Sequence, residues 1–178
     1  MTLGLNSRHF SDMANNVKFE VELYEPMRSW LQTHLAEVNP HAQVVTVDSH
    51  AQTLDVVLER LGAISEYPQV IGLDIQIDVL GVVKQKGRTT LTFIEAKKTA
   101  LNLHDLGQLW AYCKLCDPSE AYLLSSVGLG SLNKILNGLL RTDLLAFGDQ
   151  KTIKSMRVGK WDVAKKAIDV STLVPSVL

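Results

Sequence analysis

VIGLDIQIDVLGVVKQKGRTTLTFIEAK, residues 70–97, decides how the chain folds. Its first half alternates, with Leu73, Ile75, Ile77 and Val79 on one side and Asp74, Gln76 and Asp78 on the other. That is the two-residue period of a strand, so the spacing predicts a strand over Val70 to Val83. Lys84 to Arg88, with Gly87, reads as a polar turn, and Thr89 to Lys97 as a second strand that closes a hairpin. On that second strand Glu95 and Lys97 share a face while Ala96 points away. With the hairpin paired, Asp78 comes from the neighbouring strand, and two carboxylates and an ammonium group converge where the sheet opens.

The flanking segments supply the layers of a mixed α/β domain. Val17, Tyr24, Met27, Leu31, Leu35 and Val38 form the apolar stripe of an amphipathic helix, with Pro26 at a kink or near its start. Gln43 to Val47 is a short β-rich run, and Gln52 to Leu61 a second helical pattern that stops near Gly62. Leu106, Leu109, Trp110 and Cys113 recur at helical spacing within Leu103 to Cys116, and Ala121 to Val127 reads as a strand. Ser131 to Leu145 is expected as a helix, Ala146 to Gly148 and Thr152 to Val158 as small edge strands, and Trp161 to Ile168 as a last helix.

The chain has 178 residues, 46% of them hydrophobic, and mean hydropathy +0.07, which suits one domain with a sizeable core over residues 1–178. No apolar run reaches the length of a membrane span, and Met1 to Phe10 lacks the apolar stretch of a signal peptide, so a cytoplasmic protein with no membrane partner is expected. Two cysteines, Cys113 and Cys116, are too few for a disulfide framework. Residues 1–80 carry 4 basic and 11 acidic side chains and residues 81–178 carry 14 and 8. The basic C-terminal segment 151–168, with Lys151, Lys154, Arg157, Lys160, Lys165 and Lys166, is either a solvated charged face or a phosphate contact.

Two carboxylates with little else suit Mg²⁺, or Mn²⁺ in its place, since magnesium keeps several waters and takes one or two protein carboxylates. Such an ion polarises a phosphate oxygen, acidifies a water and stabilises the leaving oxygen. A Glu95–Lys97 ion pair on a solvated sheet face is the competing reading.

An acid followed by E-x-K at the end of the next apolar strand resembles the PD-(D/E)xK nuclease superfamily. Gly72 to Asp78 is similar to the glycine-to-aspartate strand motif of its RecB-like nucleases, and Gln108-Leu109-Trp110-Ala111-Tyr112 to their Q-x-x-x-Y helix. The resemblance implies a restriction-endonuclease-like αβββαβ core, a central mixed sheet flanked by helices. It implies Asp78 and Glu95 as metal ligands with the Ala96 carbonyl as a third, Lys97 positioning or deprotonating the attacking water, and Gln108 fixing metal-bound or substrate-bound groups. Tyr112 supports Gln108, contacts nucleic acid or is a half-buried aromatic. The superfamily's further acid usually comes from the first helix. At 100° per residue Glu20 faces the sheet while Glu22 and Glu25 point away, so Glu20 either holds a metal-bound water or complements the helix dipole.

The chain departs from the superfamily pattern in lacking a proline before the acid, and Asp74 shares the face of Asp78, so the ligand role could shift by two residues. Asp149-Gln150-Lys151 repeats the acid-x-lysine spacing, but in a polar turn. Cys113-x-x-Cys116 lacks zinc partners and reads as packed thiols, with no iron–sulfur cluster. His9, His34, His41 and His50 show no ligand spacing. Gly128-Leu129-Gly130 is a turn that could touch a phosphate.

The expected function is a metal-dependent nuclease, an endonuclease of DNA with RNA as the alternative, that hydrolyses phosphodiesters by in-line attack of a metal-activated water. Lys84, Lys86, Arg88, Lys98, Tyr112, Lys151, Lys154, Arg157 and Lys160 would hold the nucleic acid, and Trp161 would stack on a base or fill the core. Cutting two strands takes two sites, which makes a homodimer an option. The alternatives are a catalytically silent nucleic-acid-binding or partner-binding module on the same fold, and a phosphoesterase of small nucleotides.

Overall fold

A computed structural model describes residues 17–149 and 151–176; Met1 to Phe10, His9 and Gln150 lie outside the described residues. A 3-10 turn, Glu20–Leu23, leads into α1, Tyr24–Val38. There follow β1 (Gln43–Asp48), α2 (Leu54–Arg60), β2 (Val79–Gln85), β3 (Arg88–Lys97), α3 (Leu103–Cys116) and β4 (Glu120–Ser125). The chain ends with β5 (Ala146–Gly148), β6 (Ile153–Ser155), β7 (Arg157–Asp162) and β8 (Ala167–Val174). Six strands form one sheet in the order β1-β2-β3-β4-β7-β8, and β5 pairs with β6 separately. β1, β2 and β3 are an antiparallel meander, β4 and β7 run parallel to β3, and β8 returns antiparallel, so the central sheet is mixed.

Each face of the sheet is buried. Leu58 of α2 and Leu106, Leu109 and Cys113 of α3 pack with Leu80, Val82, Leu91, Phe93 and Leu123. On the other face Met27, Leu31 and Leu35 of α1 pack with Val79, Val83, Ile94, Leu124 and Trp161. A side chain at Gly81 would come within 2.6 Å of Leu35 Cδ1, so the glycine is what lets α1 lie this close to the sheet. Pro26 sits in the first turn of α1, where its missing N–H has no helical partner to lose.

The hairpin forms as expected, turning at Lys86 and Gly87, both with positive φ (51° and 76°). That is the two-residue turn whose twist matches a right-handed β-ribbon. The strand expected over 70–83 is shorter. Residues 71–77 lie outside the ladder, which begins at Val79 opposite Ile94. Ile77 belongs to the α3 layer and Val79 to the α1 layer, although an unbroken strand would put them on one face. The phase changes at Asp78. The carbonyls of Ile77 and Asp78 are taken by Ser49, through Oγ at 2.5 Å and N–H at 3.0 Å, and that of Ile75 by the N–H of Leu54 at 2.8 Å. The loop after β1 thus captures the backbone that would have extended β2.

Two helices read from spacing are not there. Residues 161–168 belong to the β7–β8 hairpin, because Trp161 and Ile168 are buried cross-strand partners and the turn is left to Lys165 and Lys166. Ser131 to Leu145 breaks into a short turn Ser131–Asn133, a π-helical stretch Lys134–Gly138 and a 3-10 turn Thr142–Leu145, with Leu140 at φ 55° between the last two. β4 ends at Ser125, short of Val127, and of Thr152 to Val158 only Ile153–Ser155 pairs with β5 before β7 joins the main sheet.

Candidate active site

At the end of the sheet where β2 begins and β3 finishes, ladder pairing stops and side chains take its place. The Ala96 N–H, which has no β2 backbone partner beyond the Val79–Ile94 pair, donates to Asp78 Oδ2 at 2.8 Å. Glu95, 2% exposed, projects into the α3 layer, where its Oε1 accepts from Lys97 Nζ at 2.8 Å and from Gln108 Nε2 at 3.3 Å. Its Oε2 is fully buried and accepts no hydrogen bond from the described residues. Gln108 is carried there by α3, whose start is fixed by a reciprocal cap. Asn102 Oδ1 accepts the N–H groups of His104 and Asp105 at 2.8 and 3.2 Å, while Asp105 accepts from the Asn102 N–H at 3.0 Å. From the opposite layer Glu20 accepts the Lys98 N–H at 2.9 Å, reaching the end of β3 from a 3-10 turn instead of the expected α-helix.

The electrostatics show a site short of positive charge. Burial, together with the Asp78 carboxylate, pushes Glu95 up to about 7, and the Lys97 ammonium offsets this only in part. Asp78 is raised as well, chiefly by burial and further by Glu20, against the lowering effect of the Ala96 N–H and Lys97. Burial works against the charge on Lys97, but Glu95, Asp78 and Glu20 outweigh it and hold the ammonium above its ordinary value. Tyr24, in the α1 layer, is raised by burial and by Asp78, whose carboxylate its hydroxyl faces.

These residues fit a hard divalent cation. An unpartnered buried carboxylate oxygen costs on the order of 1–3 kcal/mol or more, and an ion at Glu95 Oε2 would remove that cost and the repulsion from Asp78 together. Asp78, Glu95 and the Ala96 carbonyl are oxygen donors in the small number that magnesium takes. Among the described residues no three His, Cys, Asp or Glu side chains gather closely enough to hold a metal ion between them.

No family model matches the chain, and neither a curated protein nor a solved structure matches it significantly.

The other expected site residues divide between the two ends of the sheet. Tyr112 is half-buried beside Gln108 and the backbone of Gln76, one turn along the same side of α3. Lys98 and Lys160 lie at the Asp78 end. Lys97, Ser125 and Lys160 are successive partners across β3, β4 and β7. Lys84, Lys86 and Arg88 are at the opposite end, about 20–30 Å away along strands of this length, and Lys84 Nζ is held by the Leu61 carbonyl. Lys154 bonds Asp117 Oδ1 at 2.7 Å, and Arg157 bonds Tyr122 Oη at 2.8 Å beside Glu120 and His34, again away from Asp78. Lys151 is exposed on the β5–β6 turn. Of the basic segment, Lys160 and the β7–β8 turn that carries Lys165 and Lys166 therefore lie at the Asp78 end of the sheet. Trp161 is core, edge-on to Trp30 at 6.2 Å. Asp74 is exposed, and the acid against β3 is Asp78. Cys113 and Cys116 are buried free thiols, both pushed up by burial, Cys116 to about 12. Sequence reading missed the loop after β1 and Tyr24 as neighbours of Asp78. The polar Asp48-Ser49-His50 closing a β-rich run is the signal that was there to use.

Proposed function

We propose that the chain is a divalent-metal-dependent nuclease of the PD-(D/E)xK superfamily, with DNA as its substrate. One observation carries the reading: Asp78, Glu95 and Lys97 meet at the end of β3, and a buried oxygen of Glu95 has no partner among the described residues. Helix, antiparallel three-stranded meander, helix and parallel strand follow one another as a restriction-endonuclease-like core requires, with α2 inserted between β1 and β2.

Asp78, Glu95 and the Ala96 carbonyl would hold the ion. When bound it supplies charge for a phosphate oxygen, a more acidic water and a stabilised leaving oxygen. Lys97 is fixed by Glu95, and its remaining N–H bonds would meet the charge that builds on phosphorus. Gln108 keeps Glu95 in its rotamer, and Tyr112 backs Gln108. Glu20 ties the α1 layer to the end of β3 through the Lys98 N–H and can accept from a water there.

The test is incubation of the purified chain with supercoiled plasmid, linear duplex, single-stranded oligonucleotide and RNA, with Mg²⁺ or Mn²⁺ and with chelator. Metal-dependent cleavage of DNA is expected, falling by about 100-fold or more in Glu95→Ala and Lys97→Ala. Wild type equal to Glu95→Ala on every substrate overturns the reading in favour of a silent binding module.

A further inference from the structure

Next to Asp78, on the side away from Lys97, the loop after β1 holds a second group able to move a proton. Ser49 donates its N–H to the Asp78 carbonyl at 3.0 Å and its Oγ–H to the Ile77 carbonyl at 2.5 Å, so the loop is fastened to the acid's own backbone. The next residue is His50. Its Nδ1 lies 2.5 Å from Asp48 Oδ1, and its ring rests on Tyr24, with centroids 4.7 Å apart at 35°. The hydroxyl of Tyr24 in turn faces Asp78. Asp48, His50 and Tyr24 thus touch in turn beside Asp78. With Nδ1 engaged by Asp48, Nε2 is the free nitrogen, and it has no partner among the described residues although the ring is 38% exposed.

We propose that His50, oriented by Asp48, donates a proton from Nε2 to the leaving 3′-oxygen of the phosphodiester; this rests on the hydrolase reading above. An aspartate on Nδ1 fixes the orientation of the ring and leaves Nε2, when it carries a proton, as the outward donor. In-line displacement places nucleophile and leaving group on opposite sides of phosphorus. Lys97 lies in the α3 layer and His50 against the α1 layer, with Asp78 between them, which is the disposition those two roles need. The water oxygen forms the new bond to phosphorus and releases its proton to solvent. The P–O3′ bond breaks with its electron pair on O3′, O3′ takes the proton from His50 Nε2, and His50 recovers one from solvent.

The experiment compares an oligonucleotide carrying sulfur in place of one bridging 3′-oxygen with the same oligonucleotide carrying oxygen there. A thiolate leaves without a proton, so a group that only donates to the leaving atom is dispensable for the sulfur linkage. His50→Ala and His50→Asn are expected to slow cleavage of the oxygen linkage by about 100-fold and of the sulfur linkage by less than about threefold, with Asp48→Asn intermediate. Equal losses on both linkages would make His50 a positioning residue and overturn the proposal, as would no loss on either. A wild type that cleaves neither linkage with Mg²⁺ or Mn²⁺ removes the hydrolase reading itself, a different failure from wild-type cleavage that ignores His50.

Discussion

Glu95 is the residue in which the physical conflict of the site is concentrated. Its carboxyl is raised from 4.5 to about 7, so the native state binds its proton more tightly than the unfolded chain does. Stability in the absence of metal therefore falls as pH rises from about 4.5 through about 7, the window in which the buried group must lose its proton. In chelator, thermal denaturation between pH 5 and pH 8 is expected to show this decline in wild type and a flatter profile in Glu95→Gln. Added Mg²⁺ should raise the wild-type melting temperature more at pH 8 than at pH 5, because the ligand must be ionised to bind. An unchanged slope in Glu95→Gln would mean that another group sets the pH dependence. At this scale the sequence was legible: a two-residue spacing in an apolar strand delivers Glu95 and Lys97 to one side whatever the rest of the chain does. Glu20 was read correctly as facing the sheet, though through the wrong kind of helix. The polar run Asp48-Ser49-His50 was visible, but its place beside Asp78 was not, because that depends on Ser49 binding the Ile77 carbonyl 28 residues away.

Among the elements, α1 and the β1–β2–β3 meander set the position of Asp78, and their spacing depends on Gly81. A methyl group there would meet Leu35 and Leu31 at 2.6 and 3.1 Å and Thr92 behind them at 3.3 Å. Gly81→Ala is expected to cost about 1–3 kcal/mol in denaturant unfolding, and Gly81→Val more, with activity per folded molecule reduced as α1 and Tyr24 are pushed outward. A stability equal to wild type would show that α1 can yield without cost. Periodicity recovered α1, α2, α3 and the hairpin because each is amphipathic over several turns or pairs with its neighbour in sequence. It failed over 161–168, where Trp161 and Ile168 are seven apart and satisfy a helical stripe as well as a hairpin. Only the parallel pairing of β7 with β4, a contact between distant segments, decides between them.

For the molecule as a whole, one end of the sheet carries Asp78, Glu95 and Lys97 and the other does not, and basic side chains occur at both. If phosphate contact follows the site, charge matters at one end alone. Lys160→Glu is expected to weaken binding to DNA and to lower its salt dependence, whereas Lys86→Glu with Arg88→Glu, about 25–30 Å away, should leave both nearly unchanged. Fluorescence anisotropy over a range of salt concentrations reads this directly, and a larger effect from the hairpin tip would move the nucleic acid to the other end. The opposite charges of the two halves of the sequence did not reveal this division, since Lys154 and Arg157 are already engaged by Asp117, Glu120 and Tyr122. No helix of the described residues is long and apolar enough to cross a membrane.

The change of phase at Asp78 also constrains how this chain can vary in length. Ile75 and Ile77 are committed to one half of the interior and Val79 to the other, so removing or adding one residue between them would turn apolar groups toward water and withdraw the acid from β3. Gln76 is exposed and free to be almost anything, yet its neighbours cannot be shifted. A library of single-codon deletions and insertions, sorted only for folded protein, should therefore trace the border of the Asp78 cluster as a short forbidden interval beside a permissive loop, before any chemistry is assayed.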